Sequence, residues 1–190
     1  MSGGAVPVVD VSRCSDARSL ADAIQQSLST VGFLFIVGHG MEEQAEEMFK
    51  ISEHFFKNES FEEKQRCAYV EPTFFTSQHG EGPDSTSILR FLHYPAIPAG
   101  SNVEPNRAGA HSDYGSLTLL FQRKDGGEGL QLLPSTEPIE GGKWRDTGVV
   151  ENALLVNIGD AMELWSGANF KSTLHRVRAA CPLPLWISKA

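Results

Sequence analysis

The sequence predicts a mainly β fold preceded by helices, on the evidence of two patterns and of the chain's length. From residue 88 onward, short β-branched and apolar runs are separated by glycine, asparagine and aspartate turn signals. Residues 1–66 instead alternate between strand-like and helix-like periods. A length of 190 residues suits one globular domain. We therefore expect an antiparallel sandwich or barrel with an N-terminal region that contains helices.

The N-terminal region, residues 1–66, has a β-α-β-α pattern. Its first β-branched run surrounds Pro7, which favours a strand at a sheet edge. Ser15 or Asp16 can cap the helix that follows, in which apolar residues recur at intervals of four. The expected elements are a strand at 6–11, a helix to about residue 32, a buried strand at 33–37 and a helix at 42–57.

The sheet core is expected at 88–177. Residues 67–87, which precede it, lack periodicity and are expected to form a connecting loop. Residues 178–190 contain two prolines and form an atypical tail. The predicted strands of the core lie at 88–94, 116–122, 130–133, 153–158 and 170–177.

Composition narrows the function class. A formal net charge of -8 repels phosphate backbones and anionic headgroups, so we expect neither nucleic acid nor membrane as a partner. Three widely spaced cysteines argue against a disulfide framework and for a reducing compartment. The first residues lack the basic start and apolar core of a signal peptide. We therefore expect a cytoplasmic protein of unknown oligomeric state that acts on a small-molecule substrate.

A histidine and an aspartate two residues apart form the candidate metal site. On an extended segment, His111 and Asp113 project to the same side, where both can bind one ion. His175, in a predicted strand, can supply a third ligand. Two imidazoles and one carboxylate on one side of Fe(II) leave open positions for a chelating cosubstrate and dioxygen, as in non-haem iron oxygenases.

A simpler interpretation of the tripeptide stays open on these residues alone. Asp113 can cap a turn at the following Tyr-Gly pair, with His111 a polar surface residue. The composition predicts roughly 0.25 chance matches to His-x-Asp, so the motif by itself is weak.

Several longer segments resemble the 2-oxoglutarate/Fe(II)-dependent dioxygenases, in the branch that includes isopenicillin N synthase. Residues 108–122, AGAHSDYGSLTLLFQ, resemble the iron-binding strand of that family, and 89–95, LRFLHYP, resemble the strand upstream. The second histidine lies in STLHRV at 172–177, which also matches. Further matches, in the correct order, are PVVD at 7–10, GFLFIVGHGM at 32–41, NIGD at 157–160 and MELW at 162–165.

The resemblance implies a double-stranded β-helix, or jelly roll, with His111, Asp113 and His175 as iron ligands. It also implies that the Tyr94 hydroxyl contacts the carboxylate of 2-oxoglutarate. The cofactors would be Fe(II), 2-oxoglutarate and dioxygen. The implied activity is that of an oxidoreductase that hydroxylates, desaturates or cyclises a small organic substrate through a ferryl intermediate.

The chain departs from the family pattern in two places, so we expect a jelly roll shortened internally and at the C-terminus. The interval 67–87 replaces several helices, and the tail lacks the Arg-x-Ser whose arginine pairs with the far carboxylate of 2-oxoglutarate. Loss of closing strands would leave the jelly roll incomplete. Two alternative functions follow: a catalytically impaired metal-binding or interaction module, and an iron oxidase that does not use 2-oxoglutarate.

Overall fold

The N-terminal residues form the expected β-α-β-α series. The computed structural model describes residues 6–60, 88–94, 106–123 and 129–178, and the backbone of 185–189. Asp16 caps the first helix, since its carboxylate accepts a hydrogen bond of 2.8 Å from the Ser19 amide. The elements are β1 Val8–Asp10, a 3-10 turn Val11–Arg13, α1 Ala17–Thr30, β2 Phe33–Val37 and α2 Glu42–Asn58.

Two antiparallel sheets make up the remainder of the fold. Their strands are β3 Leu89–His93, β4 Asn106–His111, β5 Leu117–Gln122, β6 Leu130–Leu132, β7 Arg145–Asp146, β8 Leu154–Ile158, β9 His175–Arg178 and β10 Leu185–Lys189. A short helix, α3 Asp160–Trp165, follows β8. One sheet has the order β1-β2-β8-β5-β10-β3 and the other the order β4-β9-β6-β7. The strands β3–β10 are thus divided between two four-stranded faces, which is the predicted double-stranded β-helix.

The expectation that the closing strand is lost is wrong. Residues 185–189 of the tail form β10, which lies between β3 and β5 and pairs antiparallel with both. The β-branched and aromatic residues of this segment suit a strand despite the prolines before it. Residues 185–189 therefore belong to the larger sheet. The other expected departure, the loop at 67–87, lies outside the described residues.

The N-terminal strands are continuous with the sheet of the core. β1 is parallel to β2 at one edge, and β2 pairs antiparallel with β8. The continuous apolar run of β2 is explained by burial on both of its faces. One face of β2 packs in the core between the two sheets, which we call the inter-sheet core, and the other face packs against α1. The inter-sheet core consists of Val6, Phe33, Phe35, Leu120, Leu130, Leu132, Ala153, Leu155 and Val177.

Four local features differ from the sequence-based expectation. β4, β7 and α3 were not predicted as separate elements, and β9 begins at His175 where the sequence suggested a strand from residue 170. Residues 171–174 are irregular, but the Thr173 hydroxyl donates 2.7 Å to the Val31 carbonyl and so fixes the approach to β9. Within the described residues, no helix has both the length and the apolar character needed to cross a bilayer.

Candidate metal centre

His111, Asp113 and His175 meet at one end of the smaller sheet. His111 is the last residue of β4 and is paired with His175, the first residue of β9. Asp113 follows two residues after β4 and turns back toward both rings. The Asp113 Oδ1 atom lies 3.9 Å from His111 Nε2 and 3.7 Å from His175 Nε2. One ligand atom from each residue lies within 4.8 Å of the other two, so the three can hold one ion.

Both imidazoles are oriented by the backbone two residues before them. Nδ1 of His111 lies 2.7 Å from the Gly109 carbonyl oxygen, and Nδ1 of His175 lies 3.0 Å from that of Thr173. A carbonyl oxygen only accepts, so each Nδ1 carries the proton and donates it. Each Nε2 is then left with its lone pair directed at the shared centre. Such outer hydrogen bonds fix the tautomer that a metal requires.

The two oxygens of the Asp113 carboxylate have different partners. Its Oδ2 atom accepts hydrogen bonds from the Thr118 hydroxyl at 2.5 Å and from the Asn157 amide at 2.8 Å. Burial alone would raise the pKa of this carboxyl, but these hydrogen bonds and the nearby imidazoles outweigh it. The net pKa of Asp113 lies below its usual range. The carboxylate is therefore ionised, with Oδ1 available to a cation.

Of the two candidate histidine ligands, His175 is buried and His111 is exposed. The His175 side chain is 9% exposed and its ring meets Phe33 edge-on at 5.5 Å, whereas the His111 side chain is 47% exposed. Burial lowers the pKa of His175, against the opposing effects of the Thr173 carbonyl and of Asp113. A neutral imidazole is the form that binds a metal. The open side of the centre is that of His111.

Asp160 and Asn157 are supporting residues whose roles the sequence analysis missed. Asp160 begins α3, and its carboxylate accepts hydrogen bonds from the Ser112 and Ser172 hydroxyls. These two hydrogen bonds connect Ser112, which lies between His111 and Asp113, with Ser172, which precedes His175. Asn157 is 3% exposed in an otherwise apolar strand. A lone polar residue in such a run was the signal that could have revealed it.

Tyr94 lies just beyond β3 and away from the three ligands in the chain. It packs against the inter-sheet core, and burial raises the pKa of its hydroxyl. The Arg107 guanidinium lies over its ring, with Cζ 5.9 Å from the ring centroid. Its predicted contact with 2-oxoglutarate stays a prediction.

The donor set fits Fe(II). Two neutral imidazole nitrogens and one carboxylate oxygen on adjacent strand ends form a facial arrangement with one side open, which suits non-haem iron more than the tetrahedral sulfur-rich sites of structural zinc. Each of the three side chains is also held by at least one hydrogen bond through a polar atom other than the candidate ligand atom.

Comparison with family models identifies the family. Residues 83–183, just over half of the chain, match the model described as the 2OG-Fe(II) oxygenase superfamily. The chain belongs to that superfamily. Residues 6–90 match a second model, described as the N-terminal region of non-haem dioxygenases in morphine synthesis. The family uses Fe(II) and 2-oxoglutarate, in agreement with the donor set at His111, Asp113 and His175.

Individual relatives are similar over part of the chain. A UPF0676 protein of Schizosaccharomyces pombe is 40% identical over 111 residues, which are 57% of this chain and 32% of the relative. A 2-oxoglutarate-Fe(II) type oxidoreductase of Aspergillus fumigatus is 42% identical over 107 residues, 56% of this chain and 29% of the relative. The matched region thus spans about a third of each relative's length.

A solved structure shows that the fold is shared along the whole chain. The crystal structure of a full-length Neurospora crassa protein in complex with alpha-KG matches 100% of this chain and 86% of its own chain. The TM-score is 0.78 and the sequence identity is 23%. At this identity the likeness establishes the fold, and it agrees with the two-faced arrangement of β3–β10.

Proposed function

We propose that this chain is an Fe(II)- and 2-oxoglutarate-dependent oxidoreductase that acts on a small organic substrate. The observation that carries the proposal is the convergence of His111 Nε2, Asp113 Oδ1 and His175 Nε2 on one centre. Family membership supports the same chemistry. When bound, Fe(II) in such a site supplies the activation of dioxygen, coupled to oxidative decarboxylation of the 2-oxo acid to succinate and carbon dioxide.

Around the ion, different residues of this chain would offset its charge, exclude water and leave a side open to substrate. Asp113 offsets part of the charge of the cation, and the Thr118 and Asn157 hydrogen bonds keep its carboxylate in place. His175 and the Phe33 ring close the buried side against water. The exposed side at His111 is where a substrate can approach. This asymmetry suits an enzyme that admits substrate from one direction.

A small organic substrate is supported by the relatives. Several fungal relatives are named 2-oxoglutarate-dependent dioxygenases, and the similar Neurospora crassa protein was solved in complex with alpha-KG together with thymine or with 5-formyluracil. Hydroxylation, desaturation and ring closure are all compatible with such a site. We further propose that the protein acts in the cytoplasm, without nucleic acid or membrane as a partner, on the basis of its acidic composition and scattered cysteines. Fractionation of cells that express the tagged protein tests this location.

The test of function is an anaerobic titration with Fe(II), with and without 2-oxoglutarate. We expect stoichiometric Fe(II) binding, a visible charge-transfer band when 2-oxoglutarate is added, and succinate release once dioxygen and a substrate are supplied. His111→Ala should abolish all three. His54→Ala, which removes an exposed histidine on α2, is the matched control and should change none of them.

The two alternatives predict different results in the same titration. Iron binding without the charge-transfer band would favour an oxidase that does not use 2-oxoglutarate. The band without succinate release, across a range of substrates, would favour a catalytically impaired module. Iron binding that is unaffected by His111→Ala would contradict the proposed metal site.

A further inference from the structure

The strand that was expected to be lost is present, but it has no arginine. β10 has the sequence Leu-Trp-Ile-Ser-Lys, and its backbone pairs Trp186 with Leu92 of β3 and with Gln122 of β5. The one cationic residue of β10, Lys189, is paired with Leu119, which packs on the α1 side of the sheet. A family member needs a cation for the far carboxylate of 2-oxoglutarate. Because β10 has no arginine, a cation on another described element is a candidate for that role.

Arg107 is a half-buried cation beside the interior of the barrel. It lies in β4, four residues before His111, and its guanidinium is placed over the Tyr94 ring. Tyr94 and the adjacent Ala108 both pack against the inter-sheet core. In the part of the chain that the structure describes, Arg107 has no carboxylate within ion-pair distance and no hydrogen bond to its guanidinium. A partly desolvated guanidinium without an anionic partner is suited to an anionic ligand.

An irregularity of β4 accounts for this position. Asn106 is paired with Arg178 and Ala108 with Val177, so Arg107 is an extra residue with no partner across the ladder. A second shift separates Ala108 from His111. Bulges of this kind redirect side chains and are frequent beside active sites. In a regular strand, four residues would separate Arg107 from His111 by about 13 Å along β4.

We propose that Arg107, together with the Tyr94 hydroxyl, binds the far carboxylate of 2-oxoglutarate in place of the arginine that β10 lacks. This inference rests on the proposed function. A five-carbon dicarboxylate held at the ion by one end would have a second carboxylate available to a cation, and Arg107 lies on the same strand as His111. The planar guanidinium can donate two hydrogen bonds to that carboxylate, and the Tyr94 hydroxyl can donate a third. Burial raises the pKa of Tyr94 and the positive charge of Arg107 lowers it, which agrees with a guanidinium close to that hydroxyl.

The experiment compares two 2-oxo acids that share the chelating end. 2-Oxobutyrate lacks the far carboxylate of 2-oxoglutarate, so its binding does not depend on the proposed cation. Dissociation constants are measured from the charge-transfer band of the anaerobic Fe(II)-loaded protein. We expect the wild-type protein to prefer 2-oxoglutarate by about 10- to 100-fold, the range for hydrogen bonds to a charged group.

The variants assign that preference to one residue. Arg107→Gln should remove the preference and leave 2-oxobutyrate binding unchanged, while Arg107→Lys should restore part of it because the charge returns without the planar fork. Arg178→Gln is the matched control and should retain the full preference. Arg178 is an exposed cation in β9 whose backbone pairs with Asn106 of β4. Circular dichroism and Fe(II) affinity without a 2-oxo acid establish that each variant is folded and loaded.

The outcomes separate this inference from the proposed function. A preference for 2-oxoglutarate that survives Arg107→Gln overturns the role of Arg107 and leaves the proposed function intact. A wild-type protein that binds both 2-oxo acids equally also overturns it. A wild-type protein that binds no Fe(II) contradicts the proposed function itself.

Discussion

Replacing Asn157 with leucine tests how the candidate metal ligand Asp113 is held. Asn157 is 3% exposed, and its amide donates 2.8 Å to Oδ2 of Asp113, the oxygen that faces away from the two imidazoles. Leucine has nearly the same shape but donates nothing. The Thr118 hydroxyl then holds Oδ2 alone, and the carboxylate can rotate. We expect the variant to fold and to bind metal weakly.

The hydrogen bond between Asn157 and Asp113 affects both the stability of the protein and its affinity for metal, and each loss has an expected size. Loss of a hydrogen bond to a charged acceptor costs about 1.5–3 kcal/mol of stability. The Asp113 side chain is 23% exposed, so water replaces part of the lost contact and the lower end of that range applies. Removal of an outer partner of a metal ligand typically lowers metal affinity by about 10- to 100-fold. That loss of affinity corresponds to about 1.4–2.7 kcal/mol, so the effects on stability and on Fe(II) binding should be of similar size.

Two measurements on one preparation separate these effects. Urea unfolding of the metal-free protein gives the change in the free energy of unfolding, and anaerobic Fe(II) titration gives the change in affinity. Thr147→Val is the matched control. It removes a buried hydroxyl that donates to the Leu130 carbonyl, and Leu130 lies in β6, a strand with no candidate ligand. It should lower stability and leave the Fe(II) affinity unchanged. An Fe(II) affinity of Asn157→Leu within twofold of the wild type would refute the idea that Asn157 holds the ligand.

Three further substitutions test the core, the ligand loop and a helix cap. Phe33→Ala removes a fully buried ring and should lower the free energy of unfolding by about 3–5 kcal/mol in urea; a loss below 1 kcal/mol would contradict its place in the inter-sheet core. Gly159→Ala places a Cβ against the Gly115 carbonyl oxygen, in the loop after Asp113, and should reduce both stability, by about 1–3 kcal/mol, and Fe(II) affinity; normal affinity would show that the loop adapts. Asp16→Ala removes the cap of α1. The Ser19 amide lowers the pKa of Asp16, so the cap stabilises fully above the ordinary aspartate pKa and is lost as pH falls through the folded-state value. Thermal unfolding of variant and wild type should therefore converge at low pH, and a gap that is constant with pH would argue against the cap.

The strands that the sequence predicted well are those with a strong local signal. β2 is a continuous apolar run and was predicted with its observed bounds, and β5 and β8 differ from the prediction by one residue. Asp16 was one of two candidate caps and is the residue that accepts the hydrogen bond from Ser19. In these segments burial and local propensity favour the same structure.

The parts that were missed depend on contacts distant in sequence. β4 contains alanine, glycine and asparagine, which have low strand propensity, and it forms because it pairs with β9. β10 was discounted because the tail resembles nothing in the family, although its own residues suit a strand. The partners of Asp113, Thr118 and Asn157, are 5 and 44 residues away in the chain, so only the fold brings them together.

The candidate ligands were accessible to sequence reasoning because two of them share one short motif. The spacing of His111 and Asp113 predicts a common side, and His175 was a candidate third ligand from its predicted strand before the resemblance implied the same role. The orientation of each imidazole was not predictable, since it depends on backbone carbonyls two residues earlier in a particular bulged or irregular conformation. The proposed role of Arg107 likewise depends on a register shift in β4 that no sequence pattern marks.

The central claim is that one Fe(II) ion lies among three named atoms at the end of the smaller sheet. Anomalous X-ray diffraction at the iron edge, from crystals grown anaerobically with Fe(II) and 2-oxoglutarate, tests it most directly. We predict a single iron peak bonded to His111 Nε2, Asp113 Oδ1 and His175 Nε2, with both Nδ1 atoms still donating to their carbonyls. Iron bound elsewhere, or through Nδ1 of either histidine, would contradict the account.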